Sequence, residues 1–103
     1  MTEYPTEQEL KKIEEWDGKD IESFLAFIES LWHWPTYFVR RGKKVIRLEL
    51  HTGGWSGNEA IISALGNAWG NMFWLSFWEK SIRGGHYWFK IPLSFWKTER
   101  TDE

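Results

Sequence analysis

The sequence predicts an α+β domain: a small antiparallel sheet of about four strands packed with three helices, in the order ααββαββ. Three observations carry that expectation. Apolar residues recur at helical spacing in Ile21, Phe24, Leu25, Ile28, Leu31 and Trp32. Strict alternation marks Lys44 to His51 and again His86 to Ile91. Short glycine turns, Gly42-Lys43 and Arg83-Gly84-Gly85, join strand-like runs closely enough to make antiparallel hairpins.

The elements follow in order. Thr6 with Glu9 three residues later has capping-box spacing and opens a short charged helix on Leu10 and Ile13, closed at Asp17-Gly18. Asp20 is the expected cap of a longer helix from Ile21 to about His33. Trp34-Pro35 breaks it, because a residue before proline is pushed out of the helical region. Tyr37 to Arg41 then reads as a first strand and Lys44 to His51 as a second, with Ile46, Leu48 and Leu50 on one face and Arg47, Glu49 and His51 on the other. Ser56 and Glu59 suggest a capping box for a third helix, which Ile61, Ala64, Leu65, Ala68 and Trp69 carry to Gly70-Asn71. From Met72 to Lys80 alternation of Phe73, Leu75 and Phe77 favours a strand, while the four-residue spacing of Trp69, Phe73 and Phe77 fits a helix. The strand is the preferred reading. The last strand places His86, Trp88 and Lys90 on one face and Tyr87, Phe89 and Ile91 on the other, and Pro92 ends it.

The 103 residues suit one compact domain, 1–103, with a helical part over 1–35, a sheet-containing core over 36–96 and a frayed tail over 97–103. The absence of cysteine excludes disulfides, thiolate catalysis and cysteine-bound metals. Met1-Thr2-Glu3-Tyr4 lacks the basic-then-apolar pattern of a secretory leader, and no apolar run approaches the roughly 18 residues of a membrane span. A cytoplasmic protein with no membrane partner is therefore expected. The net charge of −2 conceals a division: residues 1–30 hold nine acidic and three basic side chains, whereas residues 31–97 hold three acidic and nine basic. Nine tryptophans are more than so small a core buries readily, so some are expected on a binding or association surface.

Two glycine segments stand out as candidate ligand contacts. In the first, Thr52, Gly53, Gly54, Trp55, Ser56, Gly57 and Asn58 lead from a strand into a helix, where first-turn amides and hydroxyls suit a phosphate or carboxylate. Its spacing matches neither the Walker loop nor the dinucleotide fingerprint. In the second, Arg83, Gly84, Gly85, His86, Tyr87 and Trp88 combine a cation with groups able to stack or donate hydrogen bonds. Arg47, on the exposed face of the strand leading to the first segment, adds charge to that of Arg83, and a phosphate site requires the two segments to meet at one end of the sheet. A purely structural connection is the competing reading of each segment.

Other chemistries have less to work with. His33, His51 and His86 are single and lack metal-ligand spacing, so no metal is assigned. An acid–base set would have to come from Glu59, His51 and His86, but Glu59 is accounted for first as a capping residue. Tyr37, Trp74, Trp78 and Trp88 with Arg40, Arg41, Lys43, Lys44, Arg47, Lys80, Arg83 and Lys90 supply the stacking and basic groups of single-stranded nucleic-acid recognition.

The blocks Thr52-Gly53-Gly54-Trp55-Ser56-Gly57-Asn58-Glu59 and Arg83-Gly84-Gly85-His86-Tyr87, with Ile61-Ile62, Phe73-Trp74 and Trp78 between them, resemble a family of small uncharacterised phage and prophage proteins. The resemblance runs from about residue 48 to residue 91 and carries no activity over to individual residues. It implies a setting in the cytoplasm of a bacterial host, and a small binding protein that sequesters a nucleotide signal or masks a host protein. The functional expectation is accordingly a non-enzymatic binding protein for an anionic, nucleotide-like ligand, with no cofactor. Its competitors are a tryptophan-rich module that forms a homo-oligomer or binds a host protein, and a single-strand nucleic-acid binder.

Overall fold

In the computed structural model, residues 4–93 are described. The chain runs α1 (Glu7–Glu14), α2 (Ile21–Leu31), a 3-10 turn (Pro35–Tyr37), β1 (Phe38–Arg41), β2 (Val45–His51), α3 (Ser56–Leu65), α4 (Met72–Phe77), β3 (Trp78–Ile82) and β4 (His86–Pro92). The four strands form one antiparallel sheet in the order β1-β2-β4-β3, an α+β arrangement. The expected tail, and Ser94 to Trp96 before it, lie outside the described residues.

Both N-terminal helices start as their sequences specify. Thr6 Oγ1 accepts the Glu9 amide at 3.1 Å while Glu9 Oε1 accepts the Thr6 amide at 2.9 Å, so two otherwise unpaired donors are satisfied. At α2, Asp20 accepts from the Ser23 amide at 3.2 Å and from the Ser23 hydroxyl at 2.8 Å. The hydroxyl first and then the amide hold the Asp20 carboxyl below its ordinary value. Ile21, Phe24, Leu25 and Ile28 are buried along one side of α2, and Trp32 extends that side beyond the helix.

These helices cover one face of the sheet. The register sets Phe38 opposite Leu50, Leu48 opposite Phe89, and Ile46 opposite Ile91, and all six are buried. Phe73 sits at the centre of the core, with ring centres 5.7 Å from Phe24, 5.4 Å from Phe77 and 5.5 Å from Phe89. Its place corrects the preferred strand reading of Met72 to Lys80: residues 72–77 are helical, and the strand starts only at Trp78. Burial decides the matter. Phe73 and Phe77, four residues apart, are both buried, whereas Leu75, which a strand would have set beside them, is exposed.

Two boundaries of α3 also shift. Its first residue is Ser56, with Trp55 as an N-cap that makes no side-chain cap bond, so the expected Ser56–Glu59 capping box is absent. The turn beforehand explains this: the Trp55 amide donates to the Thr52 carbonyl at 3.1 Å and the Trp55 carbonyl accepts the Glu59 amide at 3.1 Å, which starts the helix one residue early. Ser56 Oγ instead accepts the Tyr4 hydroxyl at 2.9 Å. At the other end α3 stops at Leu65, and left-handed residues Trp69, Gly70 and Asn71 turn the chain into α4.

Candidate functional site

Among the described residues, no helix packs against the sheet's other face. Alternation turns Arg47, Glu49 and His51 of β2 and His86, Trp88 and Lys90 of β4 away from the core, and the register arranges them in crosswise rows. At one end Arg47 lies between Arg41 on β1 and Lys90 on β4. In the middle Glu49 opposes Trp88, beside which Lys80 of β3 sets its Nζ 4.7 Å from the Trp88 ring centre. At the far end His51 opposes His86. Successive rows are about 7 Å apart, so the cationic row and the histidine row are separated by about 14 Å.

A shallow depression of about 220 Å3 lies across the first two rows, lined mainly by Val39, Arg41, Arg47, Glu49, Glu79 and Trp88. Glu79 reaches it because a bulge in β3 leaves Trp78 opposite Phe89 and Lys80 opposite Trp88, with Glu79 as the additional residue. Around the histidine row, the His51 ring centre is 6.2 Å from Tyr37 and 5.8 Å from Trp88.

The two glycine segments meet at this histidine end. The Thr52 amide donates to the Gly85 carbonyl at 2.9 Å, and a Cβ on Gly85 would fall 2.0 Å from Thr52 Oγ1. Gly85 has φ +88°, so both conformation and space require glycine there. Most of the first segment is occupied by the protein's own groups. Trp34 and Tyr37 lie against Gly53, and the Trp55 ring lies against Gly57. Buried Asn58 accepts the His33 amide at 2.9 Å and donates to the carbonyls of His33 at 3.2 Å and Thr52 at 3.3 Å. Gly54 alone among these loop glycines has open space where a side chain would be. In the second segment Arg83 and Gly84 are exposed at the hairpin tip. Tyr87 packs its ring 5.8 Å from Trp74 of α4, on the sheet face opposite His86 and Trp88.

The structure thus sets Trp88 in the row between those of Arg47 and His86 on the open face, joins Thr52 and Gly85 at the histidine end, leaves Arg47 about 14 Å from that end, and directs Asn58 and Tyr87 elsewhere. Trp74, half-buried against Tyr87 and Phe89, is core packing and offers no stacking platform. Glu49 is the residue that the sequence reading left unused. The carboxylate bonded to His51 is that of Glu49, at 2.7 Å, in place of the Glu59 considered for an acid–base set. Its signal was the two-residue spacing that puts Glu49 and His51 on one strand face. Among the described residues no helix is long and apolar enough to cross a membrane. No protein-family model, curated protein or solved structure matches the chain.

Proposed function

We propose that the open sheet face binds a small anionic, nucleotide-like ligand without transforming it. The observation that carries this reading is the row Arg41, Arg47 and Lys90, three cations opposite one another on adjacent strands. Like charges so placed oppose folding, and a bound phosphate relieves that repulsion while accepting their hydrogen bonds. Trp88, one row away, offers a planar apolar surface for a base. Glu49 and Glu79, in the same depression, repel phosphate but accept hydrogen bonds from amino groups of a base, which orients the ligand with its phosphates toward Arg47. The glycine segments bound the histidine end at its edge, where the Thr52 amide bonds to the Gly85 carbonyl. The proposed setting is the cytoplasm of a bacterial host, where a phage-type protein of this kind would sequester a nucleotide.

Native mass spectrometry of the protein recovered from its natural host, followed by denaturing release, tests the proposal. A released mass with a nucleotide's ultraviolet absorbance is expected, and its loss in Arg47→Ala. Recovery of the bare chain under conditions that retain weak ligands contradicts it.

A second reading has its own observation. Leu75 (69%), Met72 (45%) and Trp78 (45%) are exposed along α4 and the start of β3, a surface suited to a second copy or a host protein. Leu75→Asp is expected to abolish any self-association seen by analytical ultracentrifugation while leaving nucleotide binding intact.

A further inference from the structure

His51 and His86 join ring to ring at the end of the open face, Nδ1 to Nδ1 at 2.6 Å, with ring centres 4.8 Å apart and planes inclined at 65°. Glu49 Oε2 holds the other His51 nitrogen, Nε2, at 2.7 Å. An ionised carboxylate only accepts, so Nε2 carries the hydrogen and donates it, and the His51 Nδ1 lone pair is directed at His86. The single hydrogen between the rings then belongs to His86 Nδ1. The two Nδ1 atoms face one another directly, and the first is oriented by a carboxylate behind it, which is the relation between a metal-ligating histidine and its outer carboxylate.

We propose that His51 Nδ1 and His86 Nδ1 form a two-imidazole site for a divalent transition-metal ion such as zinc, with Glu49 as a positioning residue. Tetrahedral zinc, with bonds of about 2.0–2.1 Å, holds two nitrogens about 3.3 Å apart. The rings therefore have to separate by roughly 0.7 Å, a small rotation for side chains at the open face, where that of His51 is 21% exposed. On binding, the hydrogen of His86 moves from Nδ1 to Nε2, which leaves both Nδ1 lone pairs for the ion. Among the described residues no group of three or more His, Asp or Glu side chains is arranged to hold a metal. The site is accordingly an open one, completed by water or by a phosphate oxygen. Imidazole nitrogens select zinc, nickel or copper over magnesium and calcium.

The inference is independent of the nucleotide reading, and Zn2+ alone tests it. Calorimetry on the full chain is expected to give one ion per chain and no signal with Mg2+. Nitrogen-15 spectra of the imidazoles should show His51 and His86 bound through Nδ1, the His86 hydrogen on Nε2, and no change at His33, whose ring lies between Trp34 and Trp55. His51→Gln and His86→Gln should each weaken binding at least tenfold, and Glu49→Gln about tenfold. Unmoved His51 and His86 ring signals in excess Zn2+ overturn the proposal without recourse to a variant. So does undiminished affinity in both histidine variants when circular dichroism shows them folded.

Discussion

The two faces of the central strands are made by neighbouring residues of the same short segments, yet they obey different chemistry. On the helix side, Ile46, Leu48, Leu50, Phe89 and Ile91 are sealed from water, and their value lies in shape and apolar area. On the open side, Arg47, Glu49, His51, Trp88 and Lys90 collect repelling cations, a carboxylate–imidazole–imidazole chain and a ring capped by Lys80. A domain of this size has little stability to spare, so a row of like charges is not expected for folding alone. The contrast teaches that a sealed apolar face and a polar, charged one alternate along each strand with a period of two, the second being the face proposed to bind.

Substitutions on the two faces should therefore separate the two properties. The largest stability loss is expected for Phe73→Ala, about 3–5 kcal/mol by denaturant unfolding, because a fully buried ring in contact with Phe24, Phe77 and Phe89 leaves a cavity. A loss as small as that of a surface change would mean that α4 is not seated in the core. Next comes Asn58→Ala, at about 1–3 kcal/mol, since it leaves the part-buried amide and carbonyl of His33 without their partner and removes one of the two donors to the Thr52 carbonyl. Thr6→Ala should cost about 1 kcal/mol through the α1 cap. On the open face, Arg47→Ala should change stability by no more than about 0.5 kcal/mol, in the stabilising direction as repulsion from Arg41 and Lys90 is relieved, while abolishing nucleotide binding. A large destabilisation there would break the proposed division.

The smallest effect concerns acid. The Asp20 carboxyl is lowered by its bonds to Ser23, so its contribution is complete above the ordinary carboxylate value and fades as pH falls through the lowered one. Asp20→Asn should consequently lower the thermal midpoint slightly at neutral pH, and the difference from the parent should close in acid.

Much of this architecture was legible in the sequence because it was written in local terms. The Thr6–Glu9 box, the Asp20 cap and the alternation of β2 and β4 depend on neighbours two to four residues away. The α4 segment was not, since Phe73, Leu75 and Phe77 satisfy a strand and Phe73 with Phe77 satisfies a helix; only contact with Phe24 and Phe89 from distant segments chooses between them. The capping box at Ser56 failed for a similar reason, because Thr52, tied to Gly85 across the sheet, places the turn one residue earlier. Of the candidate site, local pattern leaves open whether the glycine segments meet, and the bond between His51 and His86 likewise depends on cross-strand register. A sequence alone does not specify which residue of β4 stands opposite His51.

The account turns on where an anionic ligand lands. Amide and side-chain NMR of the full chain during titration with ATP and with GTP addresses this directly. Shifts confined to Arg41, Arg47, Glu49, Glu79, Lys80, Trp88, Lys90 and the adjoining histidine row, absent in Arg47→Ala, are the predicted result. Shifts centred on Met72, Leu75 and Trp78, or none at saturating nucleotide, would contradict it.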